Sequence, residues 1–503
     1  MVRSVLAEVE HVENEIERLL KQSTATQTGL LVGKVSVAYR DHVYALLPTP
    51  PSESTTNVVD TSGASKKGGK GEAPLQVDPE WIGEHTRQVS RMLPGGLAVL
   101  GIYAICSEAA LKAAGAALWE ALTATATSAS PRIISQDAGA EWLLLHVSRQ
   151  PRKCTCRSGP VGLPSASGFQ SLRPCELKFG HNLNTLHCLQ AVYRIDLRLP
   201  IRSGSSTLFV SSVEGAISSE TTRLGAAECT VDGALTDSTQ TVAALRTPSP
   251  EPEPDSQTAE SLPTHQVHFF ARPSWASEAG AKMGEELREK PGAVVGHVAL
   301  SGAVHVRTYS HPKQTVGEAL VDLKTDVARS LRARLELLVE EADRAEEESE
   351  HAATSAATSA PGEGASGAEK SQPRHALLED AVRRFGEGMP RRVLVPWLEG
   401  VRLSEYLIGS ESVAEAAERC KEMLGPSFAS GSDLVEVERP AAPEKTAQQQ
   451  SEPQKSTVLE GVRTGSSSVK GKQEAVCSQT TLAAAVGALA VTLLAVSLAY
   501  VSR

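Results

Sequence analysis

The 503-residue chain is long enough for two or three domains, yet only 4% of its residues are aromatic and its formal charge is −10. That charge leaves no electrostatic footprint for nucleic acid. Ser/Ala/Gly/Glu/Pro-rich stretches cannot bury enough apolar surface to fold, which leaves about 300 residues able to pack.

Residues 1–22 carry Val5, Val9, Val12, Ile16 and Leu19 every three or four positions, the pattern of an amphipathic helix. This segment has no apolar h-region, so no cleaved secretory signal is expected. An α/β domain is expected over 23–230. Gly29 to Gly33 and Val35 to Tyr39 read as a strand, His42 to Leu47 as its partner, and Arg40-Asp41 as the turn. A low-complexity insert occupies 49–75, including SKKGGKGE.

The stretch from Asp78 to Tyr103, DPEWIGEHTRQVSRMLPGGLAVLGIY, organises the domain. Asp78 suits an N-cap and Pro79 the first helical position, where a missing N–H costs nothing. Trp81, Ile82, His85, Val89, Met92 and Leu93 fall near one helical face. Pro94-Gly95-Gly96 stops the helix, and Leu97 to Tyr103, with Gly101 inside it, has the apolar run of a buried strand. Ser107 to Leu122 reads as a helix and Glu141 to Val147 as a strand. Residues 151–180 read as a Gly/Ser/Pro-rich loop. Val192 to Leu199 alternates strictly, as a half-exposed strand does, and Thr207 to Ser211 and Val267 to Ala271 are further strand candidates.

Residues 231–263, with SPEPEPDSQ, read as a disordered linker. A second unit over 264–340 is expected as a hairpin of Val294–Leu300 and Ala303–Tyr309 around Ser301-Gly302, then a long helix. That helix is striped by Val316, Leu320, Leu323, Val327, Leu331, Leu335 and Leu338. Another disordered linker covers 341–373, and 374–425 completes the unit with a helix at Leu377–Phe385, a strand at Arg391–Trp397 and a helix at Ser412–Leu424. A polar tether spans 426–479.

Thr481 to Val501 is uncharged, and at about 1.5 Å per residue it spans roughly the ~30 Å hydrocarbon core. Its five Leu and four Val favour insertion by at most roughly 3–5 kcal/mol, a modest anchor. Arg463, Lys470 and Lys472 precede it and Arg503 follows it, so residues 1–480 are expected on the cytosolic side. A thin, Ala-rich span suits the endoplasmic reticulum. Eight cysteines in that compartment are expected to be reduced. Cys477 beside the span is a candidate for palmitoylation, with an idle thiol as the alternative.

Candidate chemistry is sparse. Cys154, Cys156, Cys175, His181, His187 and Cys188 match no zinc-ligand spacing and read as idle thiols and surface histidines. Tyr309-Ser-His-Pro312 resembles the end of a metalloprotease motif but has Arg307 and Thr308 before it, and reads as a strand-to-helix turn. No GxSxG, Walker or GxGxxG loop stands in a strand–turn–helix context.

Gly29-Leu-Leu-Val-Gly33 followed by Gly101-Ile-Tyr103 resembles the frame of the JAMM/MPN deubiquitinase domain. In that family two histidines and an aspartate hold zinc and a glutamate acts as base. The corresponding positions here are Ala104 and Cys106 for the histidines, Ser107 for the motif's proline and Thr26 for the glutamate. Ala104 cannot ligate, so the resemblance implies no metal and no catalytic residue: a pseudoenzyme domain used for binding. Gln88 to Tyr103 further resembles the signature of the Odr-four (odorant-response-abnormal) family of endoplasmic reticulum membrane proteins. GLLVGK, Asp78 to His85, Ser301 to His311 and Arg392 to Pro396 extend that agreement, with Gly29, Gly33, Trp81, Met92, Pro94, Gly95, Gly96 and Gly101 as its fold signature. The resemblance implies a non-enzymatic, cofactor-free adaptor that helps polytopic receptors of the G-protein-coupled type fold or leave that membrane. It also implies a partner, the protease specific for the ubiquitin-fold modifier. The fold expected is thus α/β (α+β): a degenerate MPN-like domain, an extra strand–helix unit, long disordered linkers and one C-terminal transmembrane helix. A JAMM-like metallo-isopeptidase and a helical tether pairing through Leu320 to Leu338 are the alternative readings.

Overall fold

The computed structural model describes residues 3–22, 26–35, 40–51, 75–129, 141–162, 168–202, 206–245, 262–271, 294–358, 389–409, 411–425, 428 and 434–438. Seven strands close a barrel. In chain order they are β1 (Ser4–Glu8), β2 (Gln27–Lys34), β3 (Arg40–Pro48), β4 (Ala98–Ile105), β5 (Glu141–Ser148), β6 (Lys153–Pro160) and β7 (Arg173–Gly180). Around the barrel they run β1-β3-β2-β4-β5-β6-β7, and β7 returns to β1 in parallel. Alternate residues serve two cores. Val5, Ala7, Leu31, Val43, Leu143, Leu145 and Cys156 fill the interior. Leu30, Val32, Tyr44, Val99, Ala104 and Leu144 point outward into the largest core. Burial on both faces is why these strands read as near-continuous apolar runs.

α1 (Asn14–Gln22) follows the first strand and joins the interior cluster through Ile16, while the outer core is covered in part by α2 (Pro79–Met92), α3 (Glu108–Ala113) and α4 (Gly115–Ser128), which lie between β3 and β5 in sequence. Ile82, Val89, Met92, Leu111, Leu118 and Leu122 are the side chains that α2, α3 and α4 bury there. The α2 helix is capped by Asp78, whose Oδ1 accepts the Trp81 amide at 3.1 Å.

A second sheet is built on two long strands, β8 (His187–Arg202) and β12 (Val294–Ser310), paired antiparallel along their length. β9 (Glu228–Val231), β10 (Ala234–Leu235) and β11 (Thr264–Phe270) extend it in the order β10-β9-β11-β8-β12. One face packs on α5 (Ser206–Gly225) and α6 (Val316–Thr358) through Tyr193, Ile195, Val213, Ile217, Val304, Leu323, Val327 and Leu331. A small third sheet, β14-β13-β15, combines β13 (Arg391–Leu398), β14 (Val401–Leu407) and β15 (Val435–Glu436), with α7 (Val413–Leu424) against it.

Several expectations need correction. Residues 1–22 are not one helix: Ser4–Glu8 is the strand that closes the barrel, paired in parallel on both sides, before a π-helical turn (Val9–Glu13) leads into α1. Tertiary pairing here overrides a local helical period. The strand expected to continue to Tyr39 ends at Lys34, and Arg40-Asp41 belong to β3; residues 36–39 lie outside the described residues. The helix expected over 107–122 is two, broken at Ala114, and the second runs on to Ser128. The loop at 151–180 contains β6 and β7. Thr207–Ser211 is helix, the start of α5, whose buried Val213, Ala216, Ile217 and Leu224 keep helical spacing.

The hairpin at Ser301-Gly302 does not form. The chain runs straight through, because β8 offers a partner at every step, Asp196 to Ser301 and Ile195 to Gly302. Residues 231–245 are ordered by the Asp232-Gly233 turn and by bonds to the start of α6, such as Val316 N–H to Gln240 O at 2.8 Å. Likewise 341–358 is helical and Val435–Glu436 returns as β15. The sheet built on β8 and β12 joins strands from both expected units. Most of the 49–75 insert, the helix at 377–385 and the span at 481–501 lie outside the described residues. Among the described residues no helix is long and apolar enough to cross a membrane.

Candidate functional site

Two places draw the signature residues together. The first is the strand end where the MPN-like frame would hold metal. β2 and β4 are antiparallel, with Thr28 opposite Ala104 and Gln27 opposite Ile105, so Thr26 arrives beside Cys106 at the next step. The ladder therefore gathers Thr26, Ala104, Cys106 and Ser107, and each of the last three has a folding task. Ala104 and Cys106 are fully buried in the outer core. Ser107 caps α3 by accepting the Ala110 amide at 3.3 Å. His146 on β5 reaches the same end and hydrogen-bonds the Cys106 carbonyl through Nε2 at 2.9 Å. Burial lowers the His146 pKa, so its ring is neutral and donates that proton.

The frame glycines are packing devices. A Cβ on Gly29 would sit 2.2 Å from Leu47 O, on Gly33 1.9 Å from His42 O, and on Gly101 1.9 Å from Leu143 O. Each marks a place where a neighbouring strand approaches too closely for a side chain. Trp81 is half-buried and donates its indole N–H to Pro50 O at 2.7 Å.

The second place is the Pro94-Gly95-Gly96 turn, which joins the barrel to the second sheet. Gly95 forms a parallel bridge with Thr308 on β12: its N–H donates to Arg307 O at 3.0 Å, and its carbonyl accepts the Thr308 hydroxyl at 2.8 Å. Arg329 of α6 donates to the carbonyls of Leu93, Pro94 and Leu97 at 3.0–3.2 Å. Lys34 at the end of β2 is buried and donates to Asp322 of α6 at 2.7 Å and to Tyr309 O at 2.8 Å. The helix before the turn is also tied down, with Arg87 and Arg91 both meeting Glu340. Behind it Asp326 accepts the Arg307 amide and a forked pair of bonds from Arg392, at 2.7 and 3.0 Å. Burial opposes the charge on Arg392, but Asp326 outweighs it and raises its pKa. Met92 fills the outer core beneath this joint.

The cysteine and histidine candidates are dispersed. Cys156 faces Cys175 across β6 and β7, His181 faces Glu8 at 3.5 Å, His187 faces His265 at 3.2 Å, and Cys188 is buried. Tyr309-Ser-His-Pro312 is the expected turn from β12 into α6. Glu10, His11 and Glu399 bring ligand atoms within 4.8 Å of one another, and none of the three is among the strand-end residues. Sequence reasoning missed Arg329, Asp322 and Asp326. A polar residue inside an apolar helical stripe is their sole trace in the sequence, and it does not name a partner.

A family model described as "ODR4-like: Odorant response abnormal 4-like" matches residues 29–433. The Xenopus tropicalis "Protein odr-4 homolog" is 30% identical over 199 residues, which cover 39% of this chain and 42% of that protein. The Mus musculus protein of the same name is 23% identical over 405 residues, 79% of this chain and 77% of its own. The match thus spans less than half of the Xenopus relative. Among solved structures, UfSP from C. elegans aligns at 9% identity with a TM-score of 0.33, over 84% of this chain and 56% of that one.

Proposed function

This chain belongs to the odorant response abnormal 4-like family, and from that membership we propose that it is a non-enzymatic adaptor of the endoplasmic reticulum membrane. Residues 481–501 anchor it as a single tail span, with the bulk of the chain cytosolic. It assists the folding or export of polytopic receptors and brings the ubiquitin-fold-modifier protease to that surface. Confinement to one membrane raises the encounter rate of partner and client without any new contact between them. The barrel is read as a degenerate MPN-like domain that binds rather than cleaves.

One observation supports the non-enzymatic reading above others. A hydrolytic zinc centre needs three protein ligands and an open position for water. At the corresponding strand end, Ala104 and Cys106 are packed into the apolar core, and Ser107 is committed to a helix cap. Metal analysis tests this directly: the purified full chain is expected to carry substoichiometric zinc and to leave an isopeptide-linked modifier uncleaved. Stoichiometric zinc with turnover that chelation abolishes would establish the JAMM-like hydrolase instead.

A further inference from the structure

The barrel places two thiols face to face near its closing seam. Cys156 on β6 and Cys175 on β7 are register partners. Directly opposed residues in an antiparallel pair have Cα atoms about 4.5–5.5 Å apart. A disulfide spans about 4.4–6.8 Å between Cα atoms, a range that includes this spacing. Both residues are free thiols, and each shifts the other's pKa. We propose that Cys156 and Cys175 form a thiol–disulfide couple that low-molecular-weight disulfides such as glutathione disulfide oxidise, with Cys175 as the attacking and Cys156 as the resolving sulfur.

The division of labour follows from exposure and charge. Cys175 is half-buried, whereas Cys156 is 5% exposed inside the barrel. The Cys156 hydrogen bond favours the Cys175 thiolate, burial, Asp41 and Glu141 oppose it, and Arg3 adds to it; the balance lowers the Cys175 pKa. Arg3 is held in place by Asp41 at 2.8 Å. Burial instead raises the thiols of Cys154, Cys188, Cys229 and Cys420. A thiolate is the attacking species, and access decides which one reacts.

In the first step the Cys175 thiolate attacks one sulfur of glutathione disulfide, and its S–S bond breaks to release a glutathione thiolate. Cys156 then gives its proton to that thiolate and attacks the Cys175 sulfur, expelling the second glutathione. The second glutathione thiolate takes up from solvent the proton that Cys175 released on ionising, so that, counted from the dithiol, the protein loses two electrons and two protons and one oxidised glutathione becomes two reduced ones. The product pins β6 to β7, next to the parallel seam between β7 and β1.

The test is incubation of the full chain in detergent with glutathione disulfide, followed by proteolysis and mass spectrometry. A Cys154→Ser background is needed because Cys154 and Cys156 fall in one tryptic peptide. The expected product joins the Cys156 and Cys175 peptides with loss of two hydrogens and no retained glutathione. Cys156→Ser should trap one glutathione on Cys175, and Cys175→Ser should leave Cys156 unmodified at least ten-fold longer. Urea midpoints of the reduced variants, expected near that of the parent, confirm that they fold. Glutathionylation of Cys156 at the parent rate in Cys175→Ser, or no 156–175 linkage in the folded parent, overturns the proposal.

Discussion

Gly95 has no room for a methyl group: its Cβ would lie 2.4 Å from Asp322 O, a backbone atom near the start of α6. Neither the turn nor the helix can yield cheaply, because Arg329 clamps one to the other. Gly95→Ala is therefore expected to destabilise the fold by about 1–3 kcal/mol, the range for overpacking a tight site. A urea midpoint lowered with unchanged slope would show it; an unchanged midpoint would mean that the joint is looser than these distances. The sequence marks this glycine but not its reason, since the atom it avoids lies more than two hundred residues away.

Glu438 behaves in the same way. It accepts from Arg334 at 2.8 Å and from the amides of His305 and Arg392, and nothing in a polar C-terminal tether announces those partners. Burial alone would raise its pKa, but Arg334 and those amides outweigh it and hold the folded carboxylate below its ordinary 4.5. A depressed folded value means that the stabilisation is complete above the ordinary pKa and is lost as pH falls through the folded one. Glu438→Gln should lower stability at about pH 7 and flatten its decline between about pH 5 and about pH 3 in urea titrations. A decline parallel to that of the parent would remove Glu438 from the account.

At the scale of elements, what could be read from the sequence was what is local. The α2 helix starts where Asp78 and Pro79 place it, and β4 and β5 follow from their apolar runs. The cap is testable: Asp78→Ala should cost about 0.5–2 kcal/mol, typical of a lost N-cap bond, and hydrogen exchange should rise first at Trp81, whose amide that bond satisfies. Equal protection of that amide in both proteins would mean that the cap is dispensable. Elements whose identity depends on distant partners were misread. Ser301-Gly302 looks like a turn until β8 is alongside. Val5 and Ala7 look helical until β3 and β7 flank them. Cys154 and Cys156 look like loop thiols until β6 has partners on both sides.

At the scale of the molecule, the signature segment is a joint as well as a core unit. Its helix is fastened to α6 by Glu340, its turn is bonded to both α6 and β12, and its strand is part of the barrel wall. Part of that role was legible, because the glycine turn and the buried strand stand out. The joining of the barrel to the second sheet was not, since Lys34–Asp322 and Arg329 bridge segments some 230 to 290 residues apart. At the strand end that carries Ala104 and Cys106, the side chains are committed to packing in the outer core.

The adaptor reading rests on one chain both sitting at the membrane and holding the protease there. Fractionation of cells expressing the full chain or its Leu489→Arg variant measures both together. An arginine at the centre of the 481–501 run costs about 2.5–3.5 kcal/mol, enough to cancel most of its insertion energy. With the parent chain, the ubiquitin-fold-modifier protease is expected in the carbonate-washed membrane pellet. With Leu489→Arg, both proteins should move to the soluble fraction and still co-precipitate. A protease distribution that ignores the substitution, or a variant chain that stays in the washed pellet, would contradict the account.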